Sequence, residues 1–223
     1  MTKPPPPLDD AAGKTRFIRA NSVLRPVPHV PEIMLHVAHE AIDLWQKTET
    51  ELEEIGLPPP FWAFAWAGGQ GLARYLLDHP DVVRGARVLD FASGSGLVAI
   101  AAAKAGAASV EAVEIDAFAE VAIDLNAEAN GVTLDIRLAD VIGLDEGWDV
   151  VLAGDVCYEQ GMAGRVIGWL EALQTRGAKV LIGDPGRSYL PKARLEELAT
   201  YMVPVVGALE DNEIKKTSVW RLK

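Results

Sequence analysis

Five acidic side chains, Asp90, Glu114, Asp140, Asp155 and Asp184, each close a short apolar run. In an open parallel α/β sheet the carboxyl ends of the strands face one crevice, and ligands bind there near the point where strand order reverses. A single acid in such a place is explained as a helix N-cap. Five on successive strands describe a site. The first lies in residues 87–100, where Asp90-x-Ala92-x-Gly94-x-Gly96 runs through small residues, Ser93 among them, into an Ala-rich helix. Glycines allow the backbone to approach a ligand closely, and the helix start aims unpaired amides at the same place. Glu114 ends the next apolar run, where a doubly wound sheet holds a pair of ribose hydroxyls. A dinucleotide site needs G-x-G-x-x-G for its pyrophosphate. The loop lacks that spacing, which argues against a dehydrogenase.

Two other stretches have unusual chemistry. Residues 61–71 put Phe61, Trp62, Phe64 and Trp66 beside Gly68, Gly69 and Gly71. Such a run suits close packing against a flat ligand, and it suits sealing the end of a sheet equally well. Asp155-Val156-Cys157-Tyr158 follows a continuous apolar strand. Cys157 is the one cysteine, which excludes an internal disulfide and a cysteine-based metal cluster; it reads as packing.

The elements that must position these residues follow from periodicity. Polyproline and an acidic pair open the chain, so residues 1–28 are expected to be a flexible tail. Met34, Val37, Ala38, Ala41, Leu44 and Trp45 recur at helical spacing, predicting a helix over 31–47. Residues 29–86 form an entry segment of helices and aromatics, and 87–223 a ligand-binding core. In the core, strands ending at the five acids alternate with helices, which predicts a right-handed, doubly wound, mostly parallel sheet. A last helix is expected over 192–201, then β-like runs over 202–207 and 217–222. The 223 residues suffice for one such domain, and the formal charge of −11 argues against a nucleic-acid partner. Lys104 and Glu111 interrupt the most apolar region, and no secretory leader is evident, so no membrane association is expected. A monomer in the cytoplasm is the expected form.

The loop Asp90-x-Ala92-x-Gly94-x-Gly96 resembles motif I, D/E-x-G-x-G-x-G, of the class I S-adenosylmethionine (SAM) methyltransferases, with Ala92 in place of the first glycine. Asp155-x-x-Tyr158 resembles the D-x-x-Y motif of the seven-β-strand enzymes that methylate lysines of non-histone proteins. Residues 60–78 and Leu181-Ile182-Gly183-Asp184-Pro185-Gly186-Arg187 are similar to the entry segment and strand-five end of the electron transfer flavoprotein β-subunit lysine methyltransferases. Ala67 stands where that family usually has proline, in Trp-Pro-Gly-Gly-Gln.

The resemblance implies a Rossmann-like seven-stranded sheet of order 3-2-1-4-5-7-6 with a C-terminal antiparallel hairpin. SAM would be the cofactor, leaving as S-adenosylhomocysteine, and the flavoprotein β subunit the substrate. Asp90 and the loop Ala92, Ser93, Gly94 and Gly96 would cradle the methionine part, and Glu114 the ribose. Trp66 would lie against the cofactor, with Gly69 a further contact; Gly154 would flank it and Asp140 face the adenine. Asp155 would hold the target amine in line and stabilise the ammonium that forms, while Tyr158 walls the channel. The same architecture serves small-molecule N-methyltransferases, and Ala92 leaves room for a binding protein with weakened SAM affinity. Glycine at position 92 is expected to bind SAM as well or better, at some cost in stability through chain entropy.

Overall fold

A computed structural model describes residues 10–38, 59–205 and 214–223. The elements run α1 (Ala11–Asn21), β1 (Ser22–Val27), β2 (Val30–Ala38), α2 (Ala67–Asp78), β3 (Arg87–Phe91), α3 (Leu97–Lys104) and β4 (Ser109–Glu114). There follow α4 (Ala117–Asn130), β5 (Asp135–Leu138), β6 (Val150–Gly154), α5 (Gln160–Arg176), β7 (Lys179–Asp184), β8 (Leu195–Pro204) and β9 (Ile214–Leu222).

Seven strands form one sheet of order β5-β4-β3-β6-β7-β9-β8. The first five are parallel, and β9 pairs antiparallel with both β7 and β8. This is the expected 3-2-1-4-5-7-6 arrangement. Each central strand is buried on both faces, which is why its sequence is a continuous apolar run. Val88 joins a core with Leu72, Leu76, Ile100 and Ile123, drawn from α2, α3 and α4. Its neighbour Leu89 faces the opposite core, with Trp148 and with Trp169 and Leu170 of α5. Strand order reverses between β3 and β6, so the crevice opens beyond Phe91 and Gly154.

Three expectations are corrected. Residues 10–27 are not a tail: Asp10 caps α1 through the Gly13 amide (2.6 Å), and β1 follows directly. Residues 31–38 are not helical but belong to β2, which pairs antiparallel with β1; 39–47, like 1–9, lie outside the described residues. The strand prevails because Ile33, Leu35 and Val37 alternate and α4 supplies side-chain partners to the backbone. Asn130 takes the Met34 amide on Oδ1 (3.0 Å) and donates to the Met34 carbonyl (2.6 Å), and Asn126 Oδ1 takes the His36 amide (2.8 Å). Residues 192–201 form a short 3₁₀ turn, Lys192–Arg194, and then strand β8. There the ladder with β9 overrides helix propensity, and Ser218 of β9 donates to Glu197 of β8 (2.9 Å).

Candidate active site

The cradle after β3 is organised from below by Asp90. Its side chain is 1% exposed, and Oδ2 accepts from the Ser93 hydroxyl (2.5 Å) and from the Ala99 amide in the first turn of α3 (2.9 Å). Burial pushes this carboxyl up to about 7, against the pull of those two bonds. Asp90 therefore shapes the loop and the helix start rather than offering an oxygen to a ligand. The backbone above it winds left-handed: Ala92 has φ 52, Gly94 φ 57 and Gly96 φ 80. Gly96 is also forced by packing, since a Cβ there would lie 3.2 Å from Ile123 Cγ2.

Glu114, at the end of β4, closes the cradle from the side. Oε1 accepts from the Gly94 amide (2.7 Å) and Oε2 from the Ile115 amide (3.0 Å), while the Ser93 amide bonds to Val113 O (3.1 Å). Burial raises the Glu114 carboxyl, and the amides of Gly94, Ile115 and Asp116 pull it back. A carboxylate offers about four acceptor positions, and the backbone amides of Gly94, Ile115 and Asp116 engage it, so acceptor capacity is left for an outside donor. Ile115 beside it is 76% exposed, an apolar face at the mouth of the crevice.

The other wall is the end of β6. Asp155 has φ 56, a left-handed conformation that costs a non-glycine residue roughly 1 kcal/mol or more and concentrates at functional sites. Oδ2 accepts from the Gly69 amide in the first turn of α2 (2.9 Å); Oδ1 accepts from Arg187 Nη2 (2.9 Å) and Nε (3.3 Å). Burial lifts this carboxyl to about 6, with Arg187 opposing the rise. Backbones meet closely here. A Cβ at Gly154 would lie 3.2 Å from the Gly69 Cα, and one at Gly68 would collide with Gly183 O.

The aromatic segment covers this junction. Trp66 donates from Nε1 to Phe61 O (2.9 Å), and that same oxygen lies 3.9 Å from where a Cβ on Gly94 would sit. The Phe61 ring is 6.0 Å from Trp66 and 5.9 Å from Tyr158, and the Arg187 guanidinium stands 5.9 Å from the Trp66 ring. Tyr158 and Phe61 are both about half exposed and form a rim.

The structure thus gathers Asp90, Ala92, Ser93, Gly94, Gly96 and Glu114 in one cradle, and Trp66, Gly69, Gly154, Asp155 and Tyr158 in the wall next to it. Asp140 lies just past the end of β5, beside Glu114, whose carbonyl accepts the neighbouring Ala139 amide (2.8 Å). The exposed Asp140 carboxylate accepts the Ile142 amide (3.0 Å) and faces Arg165 Nη2 (3.4 Å). Cys157 is buried, and burial pushes its thiol up to about 12, which agrees with packing. Sequence reasoning missed Arg187 and Ile115. Arg187 closes the stretch similar to the family's strand-five end but carries no role in that resemblance, and an aliphatic residue directly after a strand-end acid was a readable signal for Ile115.

A doubly wound sheet can hold many nucleosides; the hairpin β8–β9 set antiparallel beyond β7, together with this cradle, makes the chain a class I methyltransferase. Residues 74–155 match the family model for ribosomal protein L11 methyltransferase. The fold is similar to magnesium protoporphyrin IX methyltransferase from Synechocystis with bound SAM. That match has TM-score 0.52 and 16% identity, and covers 70% of this chain and 78% of the other. Over 211 residues the chain is 38% identical to the electron transfer flavoprotein beta subunit lysine methyltransferase of Xenopus laevis, covering 92% of this chain and 85% of that one. The human protein of the same name is 37% identical over 188 residues, covering 81% and 68%. The chain belongs to the family of electron transfer flavoprotein β-subunit lysine methyltransferases.

Proposed function

We propose that this chain transfers the methyl group of SAM to lysine side chains of the β subunit of electron transfer flavoprotein. Family membership supports the reaction and the substrate. The observation that carries the mechanism is Asp155, a carboxylate fixed beside the cradle with one oxygen only partly used.

The residues present fit the cofactor. The left-handed loop Ala92–Gly96 brings backbone close to a ligand. Glu114 keeps acceptor positions for ribose hydroxyls, and exposed Ile115 offers an apolar surface to a flat base. When bound, SAM supplies an electrophilic methyl on a sulfonium sulfur. A lysine amine must be neutral to attack and becomes cationic as it does so. Arg187 takes two bonds on Asp155 Oδ1, whereas Gly69 takes one on Oδ2. Oδ2 is therefore the oxygen that meets the amine, holding it in line and stabilising its growing charge in a water-poor setting. Phe61 and Tyr158 line the approach with rings that suit the lysine methylenes.

The same reading takes the chain to act as a monomer in the cytoplasm on a protein, away from nucleic acid and membranes. The formal charge of −11 supports a protein over a nucleic-acid substrate. Among the described residues, no helix is long and apolar enough to cross a membrane.

The test is incubation of the enzyme and labelled SAM with purified electron transfer flavoprotein, followed by peptide mass spectrometry. Label on β-subunit lysines is expected. Label that enters only low-molecular-weight amines of a native extract would make this a small-molecule N-methyltransferase. Absence of SAM binding by calorimetry would leave a binding protein.

A further inference from the structure

The loop after β7 holds two carboxylates and one guanidinium in a bracket that the reaction above does not by itself require. Asp184 is 1% exposed, and its Oδ1 accepts the backbone amides of Gly186 (2.6 Å) and Arg187 (2.7 Å). Gly186 turns the chain with φ 89. This sends the Arg187 side chain back across the ends of β7 and β6, over the Trp66 ring, to fork onto Asp155 Oδ1. Side-chain exposure at the pair is 22% for Arg187 and 11% for Asp155, so solvent screens it little.

We infer that Arg187 is a positioning residue for methyl transfer: its guanidinium holds Asp155 as a fixed anion and occupies Oδ1, leaving Oδ2 to the target amine. This rests on the methyl-transfer reading above. The groups facing Asp155 explain why an arginine is needed. From β7 and its loop come Asp184, a like charge, and Arg187; from its own loop comes the buried Cys157 thiol; from α2 comes the Gly69 amide, with Trp66 at the helix start. Lys192 lies further out, on the Asp184 side. Two acids sharing one buried site cannot both ionise cheaply, and one takes up a proton unless a cation intervenes. Arg187 answers both, with its backbone amide on Asp184 and its side chain on Asp155. Its planar fork also fixes which oxygen it covers, which a lysine point charge does not.

If Arg187 only knitted strand ends together, its loss would lower the rate equally at every pH. If it holds the anion, Arg187→Gln should let Asp155 take up a proton near neutrality. Single-turnover methylation of the flavoprotein at saturating SAM, as the ratio of variant to wild type, should then fall at least about tenfold at pH 6.5 and recover at pH 9 to the roughly threefold loss that the missing fork alone leaves. Carboxyl carbon NMR of the aspartate-labelled protein, with Asp155 assigned by Asp155→Asn, should show its titration midpoint raised by about 1–2 pH units. Arg187→Lys keeps the charge and loses the fork. Its midpoint should stay near wild type while its single-turnover rate falls at least about threefold at all pH values; if Arg187→Gln does not fold, Arg187→Met, which keeps the stem and removes the charge, carries the pH test. A rate ratio flat in pH with an unmoved midpoint in the charge-removing variant, or wild-type rates in Arg187→Lys, overturns the proposal. A wild-type enzyme that leaves the flavoprotein unmethylated refutes the substrate reading instead, and the NMR midpoint still decides whether Arg187 holds Asp155 ionised.

Discussion

Replacing Asp155 by Asn keeps the shape of the side chain and removes its charge. The carboxylate accepts three N–H groups, from Gly69 on Oδ2 and from Arg187 twice on Oδ1. An Asn offers one carbonyl oxygen, and its NH₂ must face a donor on the other side. With the oxygen toward Gly69, Arg187 is left largely buried without its anion, which costs roughly 3–5 kcal/mol. With the oxygen toward Arg187, the fork keeps a weaker neutral acceptor and the Gly69 amide loses its cap, at about 1–3 kcal/mol. The second arrangement should win. Part of its cost is returned because a neutral amide is cheaper to bury than an ion. For a chain of this size that is a fall in Tm of roughly 2–10 °C, by calorimetry. Single-turnover methyl transfer should fall by about 10²-fold or more, the scale for one preorganised electrostatic group. SAM affinity should fall much less, since Asp155 reaches the cofactor wall only through the start of α2. Near-wild-type turnover would refute the role given to Asp155. So would an equal collapse of SAM binding and turnover, which would make the carboxylate a cofactor contact.

Three further outcomes follow from the cradle. Glu114→Ala should cost on the order of 1.5–3 kcal/mol in SAM binding by calorimetry, because a charged acceptor is lost and the Gly94 amide is released; unchanged affinity in a folded protein removes Glu114 from the site. Ala92→Gly should be neutral or stabilising by up to about 1 kcal/mol in denaturant unfolding, with SAM affinity kept or improved, because relief of left-handed strain offsets the added chain entropy. The stability loss expected from chain entropy alone is thus reversed by φ 52 at Ala92, and a measured loss above about 1 kcal/mol would contradict that conformation. Asp90, held near 7 when folded against 3.8 as a free group, binds its proton more tightly in the native state, so its contribution to stability falls as pH rises from about 4 to about 7. Asp90→Asn should flatten the decline of Tm between about pH 4 and pH 7, and parallel curves for the two proteins would clear Asp90 of that effect.

The central sheet was legible because its rules are local. A strand buried on both faces must be apolar throughout, and a loop that turns left-handed before a helix selects small residues, so 87–100 and 110–116 announce a ligand cradle without any neighbour. The acids at strand ends are equally local, and one doubly wound sheet brings them to one crevice. What lay beyond reach depended on partners far along the chain. Residues 31–38 became a strand because Asn126 and Asn130, some ninety residues later, bond to their backbone. Residues 195–204 became a strand because β9 lies alongside. Asp90 and Asp155 are similar acids at similar strand ends, yet one is sealed beneath the cradle by Ser93 and Ala99 while the other is tied to the Gly69 amide and the Arg187 guanidinium. Arg187 reaches Asp155 only because β6 and β7 are neighbours. The spacing of residue types along the chain sets which groups can do chemistry; burial and the order of the strands decide the charge each carries and which of its atoms remain open.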